Sequence, residues 1–203
     1  HELNNPLAVI MGYAQVLTRQ VESNPKVKSD VVKIYRESER AAKIVRNLLT
    51  FARPREPQMI SVDLNRTVAN ILETYEAELE AANIQVTTRL APDLPRTIAD
   101  PHQLEQVLAN VVVNALQAMS EAAGPRGLAI NTQAIDRTIR ISVQDTGPGI
   151  APEVVTKIFD PFFTTKPPGQ GTGLGLSISH SIIHEHRGRI WVHSELGRGA
   201  TFH

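Results

Sequence analysis

Leu3, Leu7, Ile10, Ala14, Leu17 and Val21 follow one another at alternating intervals of four and three residues, the spacing that keeps a single apolar seam along a supercoiling helix. Val31, Ile34, Ser38, Ala41, Val45, Leu48 and Ala52 repeat the pattern, and Ser23, Asn24 and Pro25 supply a turn between the two seams. The pattern predicts an antiparallel helical hairpin. Two helices of this length cannot enclose a core between them, so the seams predict association with a second copy into a dimeric four-helix bundle.

Beyond residue 57 the periodicity changes. Asp63 is placed to cap a helix carrying Leu64, Val68, Ile71, Leu72, Tyr75 and Leu79, and Ile84 to Leu90 alternates as a strand. Asp100 and Pro101 then open a helix that runs to about Met119. Leu128 to Ile135 and Thr138 to Gln144 read as two strands joined through Asp136 and Arg137, and Arg189 to His193 as a later one. Helices on one face of a mixed sheet follow from this order, making the whole chain α+β: a helical hairpin followed by an α/β sandwich.

Composition and charge place a boundary between the two halves. Arg53, Pro54, Arg55, Glu56 and Pro57 form a stiff stretch that cannot continue a helix, and of the 12 glycines only Gly12 falls before residue 124. Residues 1–57 hold 10 Lys/Arg against 6 Asp/Glu, a balance of +4; residues 58–203 hold 11 against 15, a balance of −4. Two domains are therefore expected, 1–57 and 58–203. The formal net charge is zero, so nothing pulls the chain as a whole toward nucleic acid. With no cysteine, disulfide frameworks, thiolate metal sites and Cys nucleophiles are excluded. No apolar run approaches the ~20 residues that cross a bilayer. The residues are expected to be a soluble, cytoplasmic portion of a longer chain, with a membrane anchor elsewhere in that chain left open.

Three features carry candidate chemistry. Asn110 and Asn114 stand four apart on the helix after Pro101, and so share one face, while Leu104, Val107, Leu108, Val111, Ala115 and Met119 occupy the other. Asp145, Thr146, Gly147, Pro148 and Gly149 come where a strand ends, holding a carboxylate beside a backbone that a ligand can approach closely. Such a carboxylate accepts from an exocyclic amino group, which selects adenine over guanine. Gly169, Gly171, Gly173 and Gly175 alternate immediately before a helix with Leu176, Ile178, Ile182 and Ile183, an arrangement that aims free N–H groups at phosphates. Each is weak alone; the three in this order are strong.

At these residues the chain resembles the sensor histidine kinases of two-component signalling, over essentially all of its length. HELNNPL at residues 1–7 is similar to the family's phosphoacceptor box, LEQVLANVVVNALQAM at 104–119 to its N box and DTGPGI at 145–150 to its first glycine box. FDPFFTTK at 159–166 resembles the F box and GTGLGL at 171–176 the second glycine box; the DPFFTTK wording resembles the nitrogen-regulation-like subgroup. The resemblance implies a dimerisation and phosphotransfer hairpin followed by a catalytic ATP-binding domain of the Bergerat type.

By that resemblance His1 accepts the γ-phosphoryl group of ATP on Nε2 and passes it to an aspartate of a response regulator. Neutral imidazole is a competent nucleophile, and the adjacent Glu2 is suited to hold Nδ1–H and fix the tautomer. Asn5 resembles the amide that positions water when members of the family dephosphorylate their regulator. Asn114 is implied as a Mg²⁺ ligand, Asn110 as a second polar contact, Asp145 as the adenine reader with Gly147 and Gly149 lining the base. Gly171, Gly173 and Gly175 are implied as the phosphate-side loop and Lys166 as a lid cation.

Gyrase-like and chaperone-like ATPases share this nucleotide fold, but carry a Glu one turn before the metal-binding Asn; Asn110 cannot take a proton, which disfavours hydrolysis. Phe159, Phe162 and Phe163 are expected to anchor the lid. His180, His184, His186 and His193 lack the carboxylate partners of a metal site and are expected to be structural.

Overall fold

The computed structural model describes residues 4–20, 25–52, 57–120, 122, 124–167 and 171–203. Its elements separate into two compact units, 1–55 and 56–203. His1, Glu2, the turn at Ser23 and Asn24, the stretch from Arg53 to Glu56, and Gly169 lie outside the described residues, as does the side chain of Asn5.

The first unit is a pair of helices, α1 (Asn4–Gln20) and α2 (Pro25–Ala52). Ala14 on α1 and Val31, Ser38 and Ala42 on α2 are buried. Small side chains at these positions let the two backbones approach closely. Ser38 Oγ satisfies itself by donating to the Ile34 carbonyl at 2.8 Å. Among the described residues, part of each seam remains in solvent: Ile10 and Leu17 on α1 are exposed, as is Tyr13 beside them, and Ile34 on α2 is 51% exposed.

The second unit runs β1 (Ile60–Val62), α3 (Leu64–Thr74), α4 (Glu76–Ala81), β2 (Gln85–Leu90), β3 (Thr97–Ala99), α5 (Pro101–Ser120), β4 (Gly127–Ile135), β5 (Thr138–Asp145), α6 (Pro152–Val155), α7 (Gly175–Glu185), β6 (Val192–Glu195) and β7 (Gly199–Phe202). The main sheet has the order β2-β4-β5-β7-β6; β2 and β4 are parallel and the other pairs antiparallel, while β1 and β3 form a separate antiparallel pair. Val68 and Ile71 of α3, Val111, Val112 and Met119 of α5, and Leu128, Ile130, Val143 and Phe202 of the sheet close one core. Burying each such side chain contributes roughly 1.5–3 kcal/mol. The predicted mixed sheet with helices on one face is observed.

Three details depart from the sequence reading. The helix capped by Asp63, whose carboxylate accepts from the N–H groups of Asn65 and Arg66, breaks at Tyr75 into α3 and α4. Thr74 Oγ1 donates back to the Asn70 carbonyl at 2.8 Å, a bond that bends helices. The late strand starts at Val192 rather than Arg189, although Trp191 already exchanges both backbone hydrogen bonds with His203. β1, β3 and β7, at three or four residues each, are too short to show an alternation.

Candidate nucleotide site

α5 is the axis of the site. Asp100, 7% exposed, accepts from the N–H of Gln103 at 3.1 Å through Oδ1 and so caps the helix, while its Oδ2 accepts from the N–H of Gln58 at 2.7 Å. The buried side of α5 seats its opposite face outward, and successive positions on that face meet the glycine-rich loops. Asn110 Nδ2 donates to the Gly175 carbonyl at 3.0 Å and to Ser179 Oγ at 3.1 Å. One turn later Asn114 Oδ1 accepts from Lys166 Nζ at 3.4 Å, and Gln117 Oε1 takes a closer bond from the same ammonium. At the far end Ala118 lies against Gly147, where an added Cβ would stand 3.1 Å from the Ala118 methyl and 2.8 Å from Asp145 Oδ1.

Asp145 ends β5 and is 5% exposed. Burial pushes its carboxyl above the ordinary 3.8, against the pull of the Gly147 and Ala200 N–H groups. Both of those bonds, 2.8 Å and 3.4 Å, fall on Oδ1, which leaves Oδ2 for a ligand's amino group. The loop that follows is tied down by side chains absent from the sequence reading. Ser194 Oγ accepts from the Ile150 N–H at 2.8 Å and donates to the Gly199 carbonyl at 2.7 Å. Gly149, at φ +75°, runs so close to β6 that a Cβ would collide with the Glu195 carbonyl oxygen.

The second glycine loop is held by the F box. Gly173, at φ +65°, abuts the Phe162 backbone, whose N–H donates to the Gly173 carbonyl at 3.0 Å. Gly171 packs on the Lys166 stem, 3.3 Å from Cδ to an added Cβ, and on Thr164. Gly175 is the first residue of α7, where Leu174 provides no side-chain cap, so this 11-residue helix presents its first-turn N–H groups unclaimed by a capping side chain. Phe159 and Phe163 pack on the core as lid anchors; Phe162 is 64% exposed, its backbone rather than its ring doing the anchoring.

Of the predicted residues of the second unit, Gly175, Lys166 and Gly147 meet α5 at Asn110, Asn114 and Ala118, while Gly149 packs on β6, Gly173 on Phe162 and Gly171 on Thr164 and Lys166. Sequence reading missed Gln117, whose signal was its place three residues after Asn114, and Ser194, which had none. The histidines have other employment. His186 Nε2 accepts from the Asp100 N–H at 2.9 Å while Nδ1 meets the Ile182 carbonyl at 2.8 Å, His180 lies 5.6 Å from the Phe159 ring, and His193 lies edge-on to His203. No group of three or more metal-ligating side chains occurs among the described residues, nor does a helix long and apolar enough to cross a membrane.

A helix with two glycine loops against it, beside a mixed sheet, is the arrangement of the site. Residues 99–203 match the family model of histidine kinase-, DNA gyrase B- and HSP90-like ATPases, and residues 1–57 match the His kinase A phospho-acceptor domain. The chain belongs to the sensor histidine kinases of two-component systems. It is 41% identical over 203 residues to the signal transduction histidine-protein kinase AtoS of Escherichia coli strain K12, covering all of this chain and 32% of that protein. The solved structure of full-length ShkA in complex with AMPPNP matches with a TM-score of 0.83 at 30% identity, over 100% of this chain and 43% of that one. That of the histidine kinase ThkA in complex with the response regulator protein TrrA matches with a TM-score of 0.73 at 29% identity, over 100% of this chain and 57% of that one. The chain spans less than half of the length of the curated relatives it matches.

Proposed function

We propose that the chain is the kinase core of an ATP-dependent protein histidine kinase that phosphorylates its own His1 and passes the phosphoryl group to an aspartate of a response regulator. The observation that carries this reading is the convergence of Asn110, Asn114, Lys166, Gly175 and Asp145 along one face of α5. Asp145 Oδ2 reads the adenine amino group, Gly147 and Gly149 flank the base, and the unclaimed N–H groups at the start of α7, with Gly171, Gly173 and Gly175, face the phosphates. Lys166, on the lid, adds a cation.

Mg²⁺ fits the same place. The Lys166 ammonium already rests on the amide oxygens of Asn114 and Gln117, so this pair of hard oxygen donors accepts a cation. Asn114 would hold the ion, with Gln117 beside it, and the ion neutralises phosphate charge when bound. In the transfer itself the Nε2 lone pair of His1 forms the N–P bond as the bond from the γ-phosphorus to the β,γ-bridging oxygen breaks, and ADP leaves with that electron pair. Glu2 holds Nδ1–H and stabilises the cationic ring.

Dimerisation through the hairpin is supported by the exposed seam residues Ile10, Leu17 and Ile34, which a second hairpin would bury. A response regulator partner is the reading supported by the phospho-acceptor domain and by ThkA, whose solved complex contains TrrA. Asn5, four residues after His1, orients water for dephosphorylation of the regulator.

The test incubates the chain with γ-labelled ATP. Acid-labile, base-stable label is expected in the parent, none in His1→Gln despite unchanged nucleotide affinity, and none in Asn114→Ala at saturating ATP. Asn5→Ala is expected to keep the label and lose regulator dephosphorylation. Label persisting on His1→Gln would place the acceptor on another histidine and overturn the reading.

A further inference from the structure

The outer face of the five-stranded sheet, turned away from α5 and α7, carries a cationic and aromatic row that the nucleotide site does not use. Register aligns Arg89 with Asn131 and Asn131 with Ser142; Ser142 Oγ lies 2.9 Å from His203 Nδ1, and His203 pairs with Trp191. The rings of Trp191 and His203 stack at 5.0 Å with 24° between their planes, and the guanidiniums of Arg140 and Arg189 lie over the indole at 5.2 Å and 5.9 Å.

These cations have no internal counter-ion. Among the described residues neither Arg140 nor Arg189 makes a hydrogen bond or ion pair with a carboxylate, and the nearby Glu195 is engaged by Arg198 at 3.0 Å. Burial first, and then the charges of His193 and Arg140, hold the His203 imidazole below its ordinary 6.5. Residues 58–203 as a whole have a formal balance of −4, so the arginines of this row carry the opposite sign to the net charge of their unit.

We propose that this row is a docking surface for an acidic protein segment, whose carboxylates are received by Arg140 and Arg189 around Trp191. Arginine offers carboxylates a planar, two-pronged donor, and Trp with Arg is the pair that most often dominates binding energy at protein interfaces. Other anions fit less well. A bilayer would need apolar side chains to insert, and the large exposed apolar residues of this unit, such as Ile98 and Leu196, are not in the row. A nucleobase would need an open ring, but the indole already has His203 stacked on it and two guanidiniums over it. The surface is independent of the kinase reading.

Trp191 is the sole tryptophan of the chain, so its fluorescence reports on the row directly. Titrating the 203-residue chain with a glutamate-rich peptide is expected to change that fluorescence saturably, with affinity falling as salt is raised, and a lysine-rich peptide to do nothing. Arg140→Gln combined with Arg189→Gln should weaken the peptide by about tenfold or more while leaving ATP affinity and melting temperature unchanged. The proposal is overturned if the acidic peptide produces no saturable change, if the double variant binds it as well as the parent does, or if duplex DNA or phosphatidylserine vesicles bind this row more tightly than the peptide.

Discussion

Asn110 donates its side-chain amide to the carbonyl of Gly175, so the helix that carries the N box is latched to the first residue of the helix behind the second glycine box. The same amide reaches Ser179 Oγ. Asn110→Asp keeps the volume and removes both donors, setting a carboxylate against a carbonyl. It is expected to cost about 1–3 kcal/mol of stability and to weaken ATP, because the N–H groups of α7 lose their registration with α5. Thermal unfolding with and without nucleotide checks both effects.

Asp145 separates recognition from stability. A carboxyl whose folded value is raised favours folding only while protonated: that contribution is present below 3.8 and is lost as pH rises through the raised value, so at neutral pH the buried charge is a cost. Asn at this position still accepts from Gly147 and Ala200. Asp145→Asn is therefore expected to melt at or above the parent temperature at pH 7, with the gap closing toward pH 3.8, while ATP affinity falls by roughly tenfold to a hundredfold. Calorimetric titration with ATP and GTP checks the recognition half, since the parent should favour ATP.

Gly149 is required by both dihedral and space. Gly149→Ala places a Cβ against the Glu195 carbonyl at φ +75° and is expected to destabilise by about 1–3 kcal/mol or more. Gly127→Ala meets the Thr146 methyl at 3.4 Å and the Gln85 carbonyl oxygen at 4.0 Å, both ordinary van der Waals distances, and is expected to change stability by less than about 1 kcal/mol. Chemical denaturation of the two variants side by side measures the contrast.

Asp100 couples the segment entering the second unit to α5 through Gln58 and Gln103. Burial raises its carboxyl, but the N–H groups of Gln103, Gln58 and His102 and the charge of His102 outweigh this and hold it below 3.8. Its contribution is thus present above 3.8 and lost as pH falls through the lowered folded value. Asp100→Ala is expected to cost about 1–2 kcal/mol at pH 7, and the difference from the parent should shrink in acid. Unfolding followed across pH 2–7, a range of about five units chosen to span carboxylate titration, reads that convergence.

The hairpin should be an association device. Ile10→Glu together with Ile34→Glu alters only side chains that are exposed in the single chain, 44% and 51%, so each hairpin should keep its buried Ala14 and Val31 contacts. Sedimentation is expected to find a dimer for the parent and a monomer for the variant. A variant that stays dimeric would move the interface elsewhere.

Much of this was legible before any coordinates, because the features concerned are local. Heptad spacing, the Asp63 cap, the two-residue turn at Asp136 and Arg137, and the order of the boxes each depend on residues within a turn or two of one another. That Asn110 and Asn114 share a face was legible for the same reason, by helical arithmetic alone. What the tertiary structure decided is everything that joins distant segments: the latch from Asn110 to Gly175, Lys166 resting on Asn114 and Gln117, Ser194 tying the first glycine loop to β7, and the stack of Trp191 on His203 under Arg140. Those pairs lie tens of residues apart in sequence, and their meeting is set by strand order and register. Sequence periodicity reports which face a side chain takes; it is blind to which neighbour that face will find.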